Sequence, residues 1–300
     1  MAIIGWIGLG HMGAPMTARL VAAGHEVRGF DASAEALAAA VASGVVAAGS
    51  VAEAVRGADA VFTMLPSGAA VRSVFLDDGG ILASASEHTL LVDSSTVDIA
   101  SARTVHDAAA AAGMRFVDAP VSGGISGAAA GTLTFMVGGE PDAVADAARF
   151  VEPMAANVVP TGGPTSGQAA KICNNLMLFI NLAGCAEGAV LARRLGLDPQ
   201  VFWNIASVSS GDSWALRTWW PVAGIVPTAA ANRNFDPTFT AELASKDVGL
   251  ALAAGLDTGT DLEIGSHVRK LFDRLIGAGL GQKDCSAIVS LLDGSTGDLR

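Results

Sequence analysis

The sequence predicts an α/β fold in which an N-terminal, doubly wound sheet is followed by a long connecting helix and an all-helical C-terminal domain. Short β-rich runs alternate with helical runs over the first half of the chain, and strand signals stop after about Gly163. One long apolar run then begins at Ser166. Alternating strands and helices are typical of a parallel sheet. We therefore expect three segments, at residues 1–163, 164–195 and 196–300.

The elements of the first segment are expected in chain order. Strands are predicted in the runs IIGWIGLG, EVRGFD, AVFTML, TLLVDSS, RFVDAPVSGG, LTFMVGG and NVVPTGG. A helix that ends at Gly24 follows the first strand, and an Ala-rich helix over 33–42 follows the second. Most of these strands run directly into glycine, which suits the turns between strands and helices.

The remaining elements are expected to be helical. The long apolar helix should cover 166–195, and further helices are predicted over 198–207, 241–254, 261–277 and 284–292. The stretch 209–236 is predicted to be irregular. It holds three tryptophans, and it has three prolines when Pro237 is counted.

Composition excludes several classes of protein. The 300 residues are 51% hydrophobic, which supports one large domain or two of ordinary size. A net charge of −11 argues against a general surface for nucleic acid or anionic membranes, although one cationic pocket would still admit a small anionic substrate. The three cysteines lack metal-ligand spacing, so no metal site is expected and a reducing compartment fits. The first residues carry no targeting signal, so we expect a cytoplasmic protein.

The long apolar run is long enough to cross a bilayer. A membrane span would place Asn174, Asn175, Asn181 and Glu187 in lipid, where polar groups are costly. A buried helix of a soluble protein is therefore the better interpretation, and no membrane partner is expected. Such a helix must be covered nearly all round, by a second domain or a second subunit. We expect a homodimer or a homotetramer.

A glycine pattern follows the first predicted strand and opens the first helix. It reads GLGHMG and comprises Gly8, Leu9, Gly10, His11, Met12 and Gly13. In a Rossmann-type dinucleotide site the first glycine permits the tight turn, the second admits the pyrophosphate, and the third lets helix and strand pack closely. The helix N-terminus then faces the phosphates. The alternative is an ordinary glycine-rich turn.

Asp31 ends the second strand, 18 residues after Gly13. A carboxylate there accepts hydrogen bonds from the ribose hydroxyls of NAD and would repel the 2′-phosphate of NADP. No arginine follows it, so NAD is the expected cofactor. Asp31 could instead, or in addition, cap the helix that starts near Ala34.

A bound nicotinamide needs a partner that moves the proton. The chain has no tyrosine, and its cysteines and histidines lack zinc-ligand spacing. Lys171 remains, with Asn174 and Asn175 three and four positions further along the same helix face. An ammonium group there can polarise a carbonyl and donate a proton. The alternative is a lysine in the solvated first turn, with Asn175 as a buried core residue.

Four blocks carry a resemblance to a known family: GLGHMGAPM, DAPVSGGISGAAAGTL from Asp118, GQAAKICNN from Gly167, and KDVGLA from Lys246. Together they resemble the β-hydroxyacid dehydrogenases, which are related to 6-phosphogluconate dehydrogenase. The similarity covers essentially the whole chain. The runs DSSTVD, TFMVGG and SSGDSW are similar to the hydroxyisobutyrate branch of that family.

The resemblance implies an activity, namely the NAD-dependent oxidation of 3-hydroxyisobutyrate to methylmalonate semialdehyde in valine breakdown. It implies Lys171 as general acid/base and a small anionic 3-hydroxy acid as substrate. The residues implied to bind substrate are Ser122, Gly123, Gly124, Asn174, Asn175, Trp214 and Asp247. Those implied to bind cofactor, beyond the glycine turn and Asp31, are Leu65, Pro66, Thr96 and Lys246.

Each of these roles has a structural alternative. Ser122 to Gly124 could be a plain turn, Trp214 could pack between domains, and Lys246 and Asp247 could be a surface ion pair. Other substrates also stay open, among them 3-hydroxypropionate, L-serine and tartronate semialdehyde. A cofactor-binding module without turnover is a further alternative, and so is an imine reductase, but such proteins typically lose the lysine that this chain keeps.

The chain departs from the family pattern in two places. Pro164 and Thr165 stand where small residues are expected near the start of the long helix. Cys285 stands where this branch tends to have an aromatic residue. If that position lines the pocket, the preferred substrate size would change.

Overall fold

In this computed structural model, which describes residues 1–299, strands occupy the apolar runs of the first half of the chain. They are β1 (Ile3–Ile7), β2 (Glu26–Phe30), β3 (Val46–Ala47), β4 (Ala60–Thr63), β5 (Leu90–Asp93), β6 (Arg115–Asp118), β7 (Val121–Ser122), β8 (Leu133–Gly139) and β9 (Ala155–Gly162). The two-residue β3 is the strand that the sequence pattern does not predict, because its residues are exposed and show no apolar alternation.

The strands form one sheet in the order β3-β2-β1-β4-β5-β6-β8-β7, with β9 paired to β8. The first six strands are parallel. Strand β8 runs antiparallel to β6 and β7, and β9 runs parallel to β8. The predicted doubly wound, parallel sheet is therefore confirmed, with an antiparallel extension at one edge.

Helices cover both faces of the sheet. They are α1 (Gly13–Ala22), α2 (Ala34–Val41), α3 (Val51–Val55), α4 (Gly68–Leu76), α5 (Ile81–Ser84), α6 (Ile99–Ala111), α7 (Gly124–Ala130) and α8 (Pro141–Val151). Four of them start at a capping side chain that accepts a backbone N–H of the first turn. The caps are Ser33, Ser50, Ser67 and Asp98.

The two faces of the sheet bury different apolar clusters. Trp6 and Phe62 lie in one cluster, where their rings stack at 5.1 Å, while their chain neighbours Ile7 and Val61 lie in the other. Successive side chains of a strand point to opposite faces. A strand with both faces covered must be apolar throughout, which is why β4 and β5 are continuously buried.

The chain divides into two compact units, Met1–Lys171 and the part from Ile172 onward. The boundary lies inside the long helix α9 (Ser166–Arg194), which the sequence pattern predicts as a connecting segment of its own at 164–195. The second unit continues with α10 (Pro199–Ala206), α11 (Trp214–Thr218), α12 (Ala241–Thr258), α13 (Glu263–Leu275) and α14 (Val289–Asp293).

The helices of the second unit follow the predicted ones, with three differences. Helix α12 runs to Thr258, where Gly259 ends it with a left-handed φ of 68°. The predicted helix over 284–292 is a 3₁₀ turn, Cys285–Ile288, followed by α14. The stretch predicted to be irregular contains α11, because Ser213 caps it by accepting the N–H of Leu216.

Aromatic side chains fill the core of the second unit. Phe179 of α9 packs edge-on against Phe272 of α13, with ring centroids 5.5 Å apart, and lies 6.3 Å from Trp219. By length and composition alone α9 could cross a membrane, but half of its apolar window is buried inside the protein. The core helix of a soluble protein has the same properties. Met177, Leu191 and other apolar side chains of α9 are exposed, so this chain alone does not cover the helix all round.

Candidate active site

The glycine turn after β1 has the geometry of a dinucleotide site. A side chain at Gly8 would place its Cβ 2.3 Å from the carbonyl oxygen of Met64, and one at Gly13 would lie 2.0 Å from the carbonyl oxygen of Gly8. Gly10 is different, because a Cβ there meets nothing within 4 Å. Gly8 and Gly13 are therefore required by the protein's own packing. The open space beside Gly10 fits the approach of a pyrophosphate.

Asp31 contacts the glycine turn through the backbone of Leu9. Its Oδ2 accepts the N–H of the buried Leu9 at 2.7 Å, and its Oδ1 accepts the N–H of Ser33. Because Ser33 is the residue that caps α2, the interpretation of Asp31 as the cap is wrong. His11 is exposed and Met12 is half-buried. Asp31 thus joins the end of β2 to the glycine turn through one hydrogen bond.

Three more expected cofactor residues follow β4 and β5, the strands next to β1 along the sheet. The backbone N–H of Leu65 donates to Ser95 Oγ at 2.8 Å. Pro66 is exposed and Thr96 is half-buried. The carboxyl ends of neighbouring parallel strands lie at one edge of a sheet, which is where ligands bind in such folds. The structure thus brings Leu65, Pro66 and Thr96 to the same edge as the glycine turn.

The loop after β6 leads through β7 into α7. Gly123 has a φ of 135° and Gly124 a φ of 64°, and only glycine adopts such values without strain. Ser122, just before them, is half-buried. The geometry therefore explains both glycines of this loop as backbone requirements of the turn.

A buried hydrogen-bond network that sequence reasoning missed starts at Asp118, the last residue of β6. Its Oδ1 accepts the N–H of Thr165 at 2.9 Å and lies 2.8 Å from His106 Nε2. Its Oδ2 accepts the N–H of Gln168 at 2.7 Å. Asp118 is fully buried, and His106 is nearly so. The carboxylate therefore sits at the N-terminus of α9, where a negative charge is stabilised.

Gln168 extends this network to a second strand end. Its side-chain Oε1 accepts the N–H of Val97 at 3.1 Å, and its Nε2 donates to the carbonyl oxygen of Ser95 at 2.7 Å. The sequence signal for Gln168 was its place inside the block GQAAKICNN. Nothing in the spacing shows that its side chain points to residues more than 70 positions away.

Thr165 has a left-handed backbone just before α9, with a φ of 71°. A β-branched residue is strained there, which accounts for the small residues expected at this position. The conformation is held by the bonds of its N–H to Asp118 and by Arg103, whose Nη2 donates to Thr165 Oγ1 at 3.2 Å.

Lys171 lies in the second turn of α9 and is the last residue of the first unit. It is only 8% exposed, so the alternative of a lysine in a solvated first turn is wrong. Lysine is rarely buried unless its ammonium group has partners or a function.

Four polar residues of the second unit contact one another: Asn174, Asn175, Lys246 and Asp247. Asn175 is buried and its Nδ2 donates to Asp247 Oδ2 at 2.7 Å, while its Oδ1 accepts from Asn174 Nδ2 at 3.2 Å. Lys246 Nζ lies 3.1 Å from Asp247 Oδ1. Because the side chain of Asp247 is 3% exposed, the alternative of a surface ion pair is wrong. These bonds fix which end of the Asn175 amide is the donor.

Two other residues singled out by the sequence lie elsewhere in the second unit. Trp214 is half-exposed and its ring meets that of Trp219 edge-on, with centroids 5.0 Å apart. Cys285 is fully buried in the helical core, and burial raises the pKa of its thiol well above the ordinary value. Cys285 therefore packs in the core and does not line an exposed surface of this unit.

Comparison with known proteins agrees with this geometry. Residues 3–163 match the family model described as the NAD binding domain of 6-phosphogluconate dehydrogenase. Residues 165–292 match the model described as NAD-binding of NADP-dependent 3-hydroxyisobutyrate dehydrogenase. The "Probable 3-hydroxyisobutyrate dehydrogenase" of Mycobacterium tuberculosis is 45% identical over 97% of this chain and 98% of the relative. The chain belongs to the 3-hydroxyisobutyrate dehydrogenase family.

Other members of the family are similar over the full chain. The "NAD-dependent L-serine dehydrogenase" of Pseudomonas aeruginosa is 41% identical over 99% of this chain and 100% of the relative. A solved structure of the Mycobacterium tuberculosis 3-hydroxyisobutyrate dehydrogenase with L-serine has a TM-score of 0.90 and 45% identity to this chain. The alignment covers 97% of this chain and 99% of the mycobacterial chain. The chain is thus a dehydrogenase of this family with NAD(P)-binding domains.

Proposed function

We propose that this protein oxidises 3-hydroxyisobutyrate to methylmalonate semialdehyde with NAD, and that Lys171 is the general acid/base. The observation that carries the proposal is the burial of Lys171 on α9, four positions before Asn175. Side chains four apart share one face of a helix. Lys171 and the buried amide of Asn175 therefore lie on one face of α9. In a member of this family, that arrangement supports proton transfer between the lysine and a bound hydroxy acid.

The proposed chemistry divides between cofactor and protein. NAD, when bound, would supply the acceptor for the hydride that leaves the carbon bearing the hydroxyl group. Neutral Lys171 takes the hydroxyl proton during oxidation, and the ammonium form returns it during reduction of the aldehyde. Membership of the family, together with the lysine, favours this activity over a cofactor-binding module without turnover.

The other site residues are proposed to bind and orient. Asn175, whose amide is fixed by Asp247, holds the substrate and Lys171 in register. The turn of Ser122, Gly123 and Gly124 receives the carboxylate of the substrate, since backbone N–H groups and a hydroxyl suit an anion. Residues proposed to complete the substrate and nicotinamide sites are Asn174, Trp214, Lys246 and Asp247.

NAD is proposed as the preferred cofactor over NADP. Asp31 supports this preference, because its carboxylate lies beside the glycine turn and would repel a 2′-phosphate. The exposed apolar side chains of α9 support a homodimer or homotetramer, which would cover them. We further propose a cytoplasmic protein that acts in valine breakdown.

L-serine is the second candidate substrate. It is favoured by the similarity to the serine dehydrogenase, at 41% identity, and to the mycobacterial structure with L-serine. Both acids carry a hydroxyl on the carbon β to a carboxylate, so Lys171 would have the same role with either. The two acids differ in the group on the middle carbon, which is a methyl in 3-hydroxyisobutyrate and an ammonium in L-serine. An apolar pocket that accepts the methyl would have to desolvate the ammonium, which costs free energy.

The test is NADH formation with 3-hydroxyisobutyrate, L-serine, 3-hydroxypropionate and glycerate, each with NAD and with NADP. We expect the highest kcat/KM with 3-hydroxyisobutyrate and NAD. Lys171→Ala should lower kcat by about 10²- to 10⁴-fold while NADH still binds, and the exposed Lys270→Ala is the matched control. Higher kcat/KM with L-serine would select the second candidate. Full activity of Lys171→Ala would show that the lysine is structural.

A further inference from the structure

Gln168 holds the loop between β5 and α6 from both sides of Thr96. The side chain is fully buried and belongs to the first turn of α9. Its Oε1 accepts the N–H of Val97, and its Nε2 donates to the carbonyl oxygen of Ser95. The residue between these two partners is Thr96, so one amide group fixes the peptides on both of its sides.

An amide is the group that this position requires. Buried backbone N–H and C=O groups are costly when they lack partners, and here one of each must be paired. Glutamine offers one acceptor and one donor at the end of the same side chain. An apolar residue of equal length would leave both backbone groups unpaired, and a carboxylate would leave the carbonyl of Ser95 without a donor.

The backbone of Gln168 is held as firmly as its side chain. Its N–H donates to Asp118 Oδ2 at 2.7 Å, and Asp118 ends β6, four residues before Ser122. Lys171 follows Gln168 by three positions in the same helix, about one turn away. Gln168 therefore connects the loop of Thr96, the strand that leads to Ser122, and the helical turn that bears Lys171.

We propose that Gln168 is a positioning residue that holds the Thr96 loop and the turn bearing Lys171 in one register. This proposal rests on the proposed function, in which Thr96 lines the cofactor and Lys171 moves the proton. Hydride and proton transfer both need close alignment, and a displacement of about 1 Å can cost about 10²-fold in rate. Loss of the amide should therefore affect cofactor binding and turnover together.

The experiment uses the full-length protein and two substitutions. Gln168→Met keeps the length of the side chain and removes both hydrogen bonds. Its NADH dissociation constant, from fluorescence titration, should rise about tenfold, and kcat should fall by about 10- to 100-fold. The KM for the hydroxy acid should change by less than about threefold, since the Ser122 loop keeps its own contacts. The second substitution, Gln168→Glu, adds a negative charge, and the exposed Gln200→Glu is its control.

Gln168→Glu gives a rescue that depends on pH. A protonated carboxyl has one donor and one acceptor where the amide had them, whereas the ionised form has acceptors only. Relative to wild type, the NADH affinity of Gln168→Glu should recover as pH falls and the carboxyl becomes protonated. The ratio of the NADH affinity of Gln168→Met to that of wild type should stay constant over the same pH range. If Gln168→Met does not fold, the Gln168→Glu ratio alone carries the test.

Wild-type NADH affinity and kcat in Gln168→Met, with only the melting temperature lowered, would overturn the proposal. So would a Gln168→Glu ratio that does not change with pH. The proposed function itself fails if the wild-type protein oxidises no hydroxy acid. The NADH titrations of both variants would then still test whether Gln168 positions the Thr96 loop.

Discussion

Asp118 and Gln168 are 50 positions apart, and the carboxylate of the first accepts the backbone N–H of the second at 2.7 Å. The bond joins the end of a central strand to the first turn of the helix that carries Lys171. A second oxygen of the same carboxylate accepts the N–H of Thr165, so two donors at the start of α9 have one buried acceptor. The orientation of this helix start is therefore set by the sheet.

Asp118→Asn should destabilise the protein by about 1 to 3 kcal/mol. One carboxylate oxygen becomes an NH₂ group, which faces either the backbone N–H of Gln168 or the cluster of His106 and Thr165. A buried donor is then left without an acceptor. Urea unfolding measures the loss, and kcat should fall with it because Lys171 lies one turn further along the same helix.

Asp198→Asn is the matched control for this substitution. Asp198 caps α10 at the surface by accepting the N–H groups of Gln200 and Val201. Asparagine caps a helix about as well as aspartate, so its stability should be nearly unchanged. Equal effects of the two substitutions would contradict a special role for Asp118.

The sequence predicts the geometry of the glycine turn better than that of the rest of the candidate site, because the turn is local. Gly8, Gly10 and Gly13 stand at a fixed spacing between one strand and one helix, and the structure explains each by a nearby atom or by open space. Asp31 follows from its distance to that turn. Such patterns can be recognised without knowing which other parts of the chain come close.

The network of His106, Asp118 and Gln168 could not be predicted in this way. Its bonds join residues between 12 and 73 positions apart, and each residue alone has a common alternative role. Thr165 departs from the family pattern, and its left-handed φ explains why small residues are expected at this position. Tertiary contacts decide such cases, and single-sequence patterns do not contain them.

The hydrogen bond between Asn175 and Asp247 should appear as an energetic coupling. Both side chains are buried, and the amide donates to a carboxylate at 2.7 Å. A double-mutant cycle with Asn175→Ala and Asp247→Ala should give a coupling of about 0.5 to 3 kcal/mol in the free energy of unfolding. Asn175→Ala combined with Asp212→Ala, whose partner is Arg217, should be additive. Additivity in the first cycle would mean that the bond contributes nothing.

Gly10→Ala and Gly13→Ala should fail for different reasons. A Cβ at Gly13 would lie 2.0 Å from the carbonyl oxygen of Gly8, so that variant should lose stability or not fold. Gly10→Ala meets no protein atom within 4 Å and should change stability by less than about 1 kcal/mol. Its NADH affinity should fall at least about tenfold, because the methyl group occupies the space for the pyrophosphate. Unchanged affinity would place the phosphates elsewhere.

Asp31→Asn should shift cofactor preference towards NADP. The asparagine oxygen can still accept the N–H of Leu9, while the exposed N–H of Ser33 loses its carboxylate acceptor. The substitution removes the negative charge that would repel a 2′-phosphate. The ratio of kcat/KM for NADP to that for NAD should rise about tenfold, which corresponds to about 1.4 kcal/mol. Melting temperature is measured alongside to separate this effect from damage to the glycine turn. A ratio that stays constant would remove Asp31 as the determinant.

Asp93→Asn should stabilise the protein at neutral pH. Burial raises the pKa of Asp93 above its ordinary value of 3.8, with the nearby Asp118 adding to it, despite bonds from Thr63 and Ser95. The folded state then binds more protons than the unfolded state, so stability falls as pH rises from the unfolded pKa through the folded one. Asparagine imitates the protonated carboxyl and escapes this penalty. Urea unfolding at several pH values should give the variant a larger free energy of unfolding than wild type at neutral pH. The difference should shrink as the pH falls towards the ordinary aspartate pKa of 3.8. A gap that is independent of pH would show that the two carboxyl states are equally tolerated at this strand end.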